Sequence, residues 1–371
     1  DGSQLTGIQA GVANFVATGA VANGAPVIVK DDGTVGSIVQ TTDPSSNPNS
    51  GTPVVFEIGT IENTSVAYDS NAGKVVVAYK DAGSGNKGTC VVGTVNPDDT
   101  ITFGSPVVFN NGQTDYIVAR FDPVNNKVVI AYQDLSASSR GTCIVGTVSG
   151  NSISFGSEVQ FSTDTTNPEK DASMTHIGGG KFFIAYRNNT YSSRGEAIVG
   201  TVSGNSISFG SVASVTSNQF YSMSTEYDAN AGKVVVAYRD GSDSNKGKAR
   251  VGTVDGSSNI SFGTEVTFNN GTTFYPSVVY DSSNQKVAIT YRDSGNSNYG
   301  TAIVGTVSGT NISFGSEAVF ESASVWNVKA TFDSTNNKIV IVYSDSGNGT
   351  YGTVVVAAIS GTSISFNSPF V

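Results

Sequence analysis

A strand-like phrase ending in tyrosine returns along this chain at an almost fixed interval. Its tyrosines are Tyr79, Tyr132, Tyr186, Tyr238, Tyr291 and Tyr343, separated by 53, 54, 52, 53 and 52 residues. A period near 50 residues means that one supersecondary unit is written again and again and stacks on its own copies. A second phrase keeps the same register: VGTVSGNSISFGSEV at Val145–Val159 is nearly repeated at Val199–Val212 and Val304–Ala318.

Each period holds four strand-like runs. In the second they are IVARF (Ile117–Phe121), KVVIAYQ (Lys127–Gln133), TCIVGTV (Thr142–Val148) and SISFGSEVQF (Ser152–Phe161). They are β-branched or alternating, with Gly, Asn, Asp and Ser turns between them. No stretch sustains a 3.6-residue period. Four antiparallel strands repeated six times predict an all-β chain, a six-bladed β-propeller of four-stranded antiparallel blades. The units run about 54–106, 107–158, 159–212, 213–265, 266–317 and 318–371. A β-solenoid would use shorter rungs of under about 30 residues. The recurring Phe103, Phe155, Phe209, Phe262, Phe314 and Phe366 are expected in the core between blades. The last unit stops one residue short of the position matching Phe320, and PVVF (Pro53–Phe56) precedes the first, so the two ends are expected to complete one blade.

Residues 1–50 fall outside the period and read as a small N-terminal β connector, with an Asp32–Gly33 turn. Thr41–Pro53 is polar and proline-rich, as linkers are. The propeller is placed at 51–371. The chain begins at Asp1 without Met, which points to a processed or partial product joined to something further.

Charged residues make up 13%, about half the usual ~25%. Polarity comes from Ser, Thr, Asn and Gly, a surface that suits a virion or extracellular location. The net charge of −10 argues against nucleic acid as a partner. No apolar run reaches the ~18 residues of a span, so no membrane insertion is expected, and no cofactor motif is present.

Cys90 and Cys143 occupy a slot filled elsewhere by Ala197, Ala249, Ala302 and Val354, so both read as packed core residues. His176 is the sole histidine and cannot build a metal site alone. Asp69, Asp122, Asp228, Asp281 and Asp333 open one turn, and Asp81, Asp134, Asp240, Asp293 and Asp345 end the second strand. Recurrence in nearly every unit favours turn capping over calcium, which needs six to eight converging oxygens.

Functional groups are sought where the units differ. The turns between strands one and two and between strands three and four are near-constant and share one face. The opposite face is expected to carry two irregular loop sets, the usual place for binding groups on a rigid scaffold. One set leads into each inner strand: EIGTIENT, NNGQTDY, STDTTNPEKDA, TSNQFYS, NNGTTFYP and ESASVWN. Seven residues before the turn Asp it places Glu62, Asp115, Asp171, Tyr221, Phe274 and Trp326, with Tyr116, Phe220, Tyr275 and Asn327 beside them. The insertion Thr163–Lys170 is a candidate projecting loop. The second set adds Tyr299 and Tyr351, where other units have Lys87, Arg140, Arg194 and Lys246. Aromatic faces next to acids and amides suit sugars; the same aromatics could instead plug the central channel. A glycosidase would need Glu62, Asp115 and Asp171 as its carboxylates. SDSGNGTY (Ser344–Tyr351) misses the sialidase Asp-box spacing, and one histidine leaves no serine triad beyond it. No catalytic residue is assigned.

The repeat KVVVAYRD…VGTVSGNSISFGSE resembles units of marine bacteriophage tail-fibre and other virion structural proteins, and of large aquatic bacterial adhesins. The opening DGSQLTGI and ATGAVANGAPVIVKDDGTV look like the connector of such fibres. The resemblance extends over essentially the whole chain. It implies a receptor-binding propeller on a homo-oligomeric, trimeric fibre, attached to other virion or fibre proteins through the N-terminal segment. Its target would be a cell-surface polysaccharide or receptor. The alternative is a structural virion or surface component without ligand.

Overall fold

The computed structural model describes residues 16–17, 27–29, 34–37, 53–98, 100–165 and 172–371. The chain divides into two compact units, Asp1–Pro53 and Val54–Val371. In the first, Val16–Ala17, Val27–Val29 and Thr34–Ser37 form a three-stranded sheet with Thr34–Ser37 in the middle. The Asp32–Gly33 turn, residues 41–52 of the expected linker and residues 166–170 of the expected insertion lie outside the described residues.

The second unit is antiparallel throughout, in six four-stranded sections that follow the sequence period. The section at Val107–Asp122, Lys127–Asp134, Arg140–Ser149 and Ser152–Phe155 pairs each strand with the next. The middle strands are apolar on both faces because both faces are covered. One core joins Val76, Ala78, Cys90 and Val92 to Ile130, Tyr132 and Ile144 of the following section. The next joins Val129, Ala131, Cys143 and Val145 to Ile184, Tyr186 and Ile198. The fourth-strand phenylalanines pack at these junctions as expected, for example Phe155 on Phe109 and Phe314 on Phe268. Both aspartate slots cap turns: Asp69 Oδ1 accepts the Asn71 and Ala72 amides, and Asp134 Oδ1 those of Ser136 and Ala137.

The closed six-bladed propeller, however, is not what the strand pairing forms. Val107–Asp122, Ala213–Asp228, Val266–Asp281 and Ala318–Asp333 are each one strand of 16 residues. They run straight through NNGQTDY, TSNQFYS, NNGTTFYP and ESASVWN, which were expected to be loops. The first part of each pairs with the third strand of the section before; the second part pairs with the second strand of its own section. Sections are therefore not separate tandem blades but share strands. Among the described residues the pairing gives two large open sheets, of nine and sixteen strands.

Side-chain burial agrees with an open arrangement. Val342 is 43% exposed, whereas Ala78, Ala131, Ala185, Ala237 and Thr290 are 0% exposed at the equivalent site. Val66 of the first inner strand is 56% exposed, against 0% for Ala119 and 4% for Val278. The expected seam does not form a shared blade either: Phe370 bridges to Val354 of its own section, and Phe56 packs on Tyr79 and Phe103. A repeat dictates that neighbours stack; it does not dictate the curvature that would bring the last face onto the first.

Candidate functional site

The inner strands line one cavity of about 860 Å³. They are stitched edge to edge by serines. Ser65, Ser173, Ser224 and Ser277 Oγ accept the amides of Ala119, Thr225, Val278 and Ala330 at 2.9, 2.9, 3.0 and 3.1 Å. Arg120, Glu226 and Lys329 line the cavity from three sections. Burial pulls the Arg120 guanidinium down, partly offset by Glu226, and pushes the Glu226 carboxyl up.

At the entry to each described 16-residue inner strand, and of Ile61–Asp69, the ladder slips by a bulge, for instance between Asp115 and Val118 or Phe274 and Ser277. Inside these bulges sits a left-handed residue: Asn63 (φ 49°), Tyr116 (55°), Ser222 (45°), Tyr275 (52°) and Asn327 (53°). Asparagine takes this conformation readily, whereas a tyrosine pays roughly 1 kcal/mol or more. Bulges re-aim side chains, and here they directly follow Glu62, Asp115, Tyr221, Phe274 and Trp326.

Next to the bulges, arginines and aromatic rings alternate. Tyr221 lies between Arg187 (4.9 Å from ring centroid to guanidinium carbon) and Arg239 (5.0 Å). Phe274 lies between Arg239 (4.6 Å) and Arg292 (4.4 Å). Trp326 lies 4.1 Å from Arg292, and Tyr275 5.5 Å. Each cation is the residue after a core tyrosine, so strand pairing sets Tyr221 opposite Arg239 and Phe274 opposite Arg292. Opposite Trp326 stands Ser344. Among the described residues no second cation is seen on Trp326, which is 44% exposed. Cation–π contacts are worth about 0.5–2 kcal/mol each, most where desolvated. Arg292 is only 6% exposed, and burial pulls its guanidinium down, with Tyr275 opposing and Arg239 adding to the effect.

The acidic half is built differently. Lys80 Nζ bridges Glu62 Oε2 (3.0 Å) and Asp115 Oδ1 (2.9 Å), and Asn63 Nδ2 also donates to Asp115. Glu62 and Asp115 are thus brought together by a shared lysine; Asp171 lies outside the described residues. Tyr116 lines the cavity. Asn327 is exposed beside Trp326, Tyr299 is half-buried and Tyr351 exposed, the last two at the starts of their strands.

Phe220 does not belong to the site. It is fully buried against Tyr238, with ring centroids 4.8 Å apart. Elsewhere that space is filled by Phe109, Phe161, Phe268 or Phe320. Here Val215 takes their position and Phe220 enters from five residues later. The missing phenylalanine at 215 was the available signal. Arg187, Arg239 and Arg292 also went unnoticed, although AYRN, AYRD and TYRD carry them at the period.

Cys90 and Cys143 are buried free thiols, and burial pushes the Cys90 thiol up to about 12. His176 packs edge-on to Phe182, 3.5 Å from Asp122, and burial pulls its imidazole down. Among the described residues no His, Cys, Asp or Glu group is gathered for a metal, and no helix is long and apolar enough to cross a membrane.

No family model matches the chain, and no curated protein matches its sequence. Solved structures match in fold. The BP39L lectin from Burkholderia pseudomallei superposes with a TM-score of 0.64 at 8% identity, over 83% of each chain. AofleA from Arthrobotrys oligospora superposes with a TM-score of 0.51 at 10% identity, over 83% of this chain and 89% of the other. Neither likeness is to a tail fibre or a virion, and two open sheets are not the closed distal propeller that such a fibre would carry. The bacteriophage tail-fibre and virion assignment is corrected accordingly. The chain is an all-β protein similar in fold to a bacterial lectin.

Proposed function

We propose that the chain is a carbohydrate-binding module without catalytic activity, acting outside the cell, and that the glycan seats on Trp326 with Tyr275 and Asn327 beside it. The exposed indole carries this reading. Arg292 backs one side of it, and among the described residues no second cation is seen on it. A sugar ring presents CH groups to an aromatic face and hydroxyls to neighbouring amides. Fold likeness to a lectin supports the class. Glu62 and Asp115 bound to one lysine favour a structural over a hydrolytic role for these carboxylates. Presented in several copies, such a site would gain by avidity. The test is a glycan array followed by calorimetry on the best ligand. Trp326→Ala should weaken binding by about tenfold, the loss expected when one anchoring aromatic worth ~1.4 kcal/mol is removed. Unchanged affinity in a folded Trp326→Ala protein overturns the site.

A further inference from the structure

We infer that the glycan taken at this site is anionic, with a carboxylate or sulfate seated on Arg292. The inference rests on the carbohydrate-binding reading and narrows its ligand.

Arg292 is among the most enclosed cations of the chain, yet its Nε and Nη1 are buried with no hydrogen-bond partner. A buried guanidinium normally has its donors satisfied, because an unmet charged donor keeps its full desolvation penalty. The rings do not meet that need. Phe274 and Trp326 contact the guanidinium at 4.4 and 4.1 Å from their centroids, and π contacts leave the in-plane N–H edge unbonded. Nor does a carboxylate meet it: no ion pair joins Arg292 to an acid among the described residues, and Arg239 stands beyond Phe274 as a further positive charge. Two enclosed lysines contrast with this. Lys80 is held by Glu62 and Asp115, and Lys248 by Asp243 at 2.7 Å.

The missing partner is therefore an oxyanion, a carboxylate or a sulfate, whose oxygens accept charge-assisted bonds from a guanidinium. It would come from the ligand. Trp326 is the exposed side chain bordering the guanidinium, and rotation of exposed side chains is fast. Its rotation gives a ligand a way in beside the guanidinium, and its outer face then takes the sugar ring that carries the anion.

The experiment is calorimetry of the whole chain against three probes of matched length: an oligogalacturonate, a sulfated oligogalactose and neutral oligogalactose. Each is run at low and physiological salt, on the natural protein, Arg292→Met and Arg292→Lys. One or both charged probes should bind at least tenfold tighter than the neutral one, and the advantage should shrink with salt. Arg292→Met should reduce the charged probe to the neutral affinity. Arg292→Lys, which keeps the charge and loses the fork, should retain only part of the preference, and it decides the matter if the Met variant does not fold. Preference for the uronate alone assigns a carboxylate, and for the sulfated sugar alone a sulfate. Equal affinity for neutral and charged probes overturns the inference and leaves carbohydrate binding standing. So does a charge preference that survives both substitutions. Binding of none of the three, with no other glycan bound on the array, overturns both readings.

Discussion

At the scale of single residues, Val215 and Phe220 show how one volume can be filled from two places. The space lies over a glycine where the third strand passes. In the fifth section a Cβ added to Gly247 would sit 2.5 Å from the Phe268 ring and 2.7 Å from Thr273 Oγ1. In the fourth, a Cβ on Gly195 would sit 2.7 Å from the Phe220 ring, while Val215 occupies the position of Phe268 and Phe220 that of Thr273. Large and small have changed places. Phe220→Thr should then cost about 3–5 kcal/mol, as truncation of a buried ring does. Val215→Phe should cost about 1–3 kcal/mol by overpacking. Combined, they recreate the arrangement of the fifth section, so the double variant should recover at least ~1 kcal/mol of the summed loss, a coupling visible in a urea denaturation cycle. Strict additivity would show that the two side chains do not share this space. The same pair explains a misreading. Phe220 stands beside Tyr221 in the sequence and looks like part of an aromatic cluster, but alternation along a strand sends neighbours to opposite faces.

At the scale of elements, the inner strands carry the next prediction. Their facing edges are not paired with each other by a regular ladder, so a backbone amide turned toward the cavity needs another acceptor. Ser224 Oγ supplies one for Val278, and Ser277 Oγ one for Ala330. Ser224→Ala leaves the Val278 amide without it, at a cost of about 1–3 kcal/mol if water cannot substitute. Hydrogen exchange should accelerate at Val278 while Val287 and Ile289, in the neighbouring core strand, stay protected until global unfolding. Protection at Val278 unchanged from the natural protein would remove the serine stitch as a stabilising device. Much at this scale was legible beforehand. KVVVAY and its relatives are unmistakable buried strands, and the DSNAGK-type turns are capped by their aspartates as their composition implies. The 16-residue strands were not legible. NNGQTDY and NNGTTFYP have the Asn and Gly of a loop, and composition does not separate a loop from a bulged strand that spends the same residues on positive φ. The arginine–aromatic stack was half legible: its rings stood out because they vary between units, whereas its arginines were hidden in a phrase read as core.

At the scale of the whole repeating unit, the consequence of openness can be tested at one slot. Every interior junction buries a small side chain at the fifth residue of the second strand: Ala78, Ala131, Ala185, Ala237 or Thr290. The last section has Val342 there, 43% exposed, on a face that none of the described sections covers. A lysine at an interior copy of this slot would bury an unpaired ammonium in a packed core, and the chain would move its pKa or fail to fold before accepting that. A lysine at 342 would extend into solvent and bury only its methylenes. Val342→Lys should therefore change stability by no more than about 0.5–1 kcal/mol, within the range of surface substitutions. Ala131→Lys should cost more than ~4 kcal/mol or abolish cooperative unfolding. Thermal melts of the two variants beside the natural protein give the answer. If Val342→Lys is as damaging as Ala131→Lys, the last face is covered in solution and the open arrangement is wrong. If it melts like the natural protein, the terminal section holds by its contacts on one side alone. The stability of the array is then a sum of junctions, weakest at the end where Val342 lies.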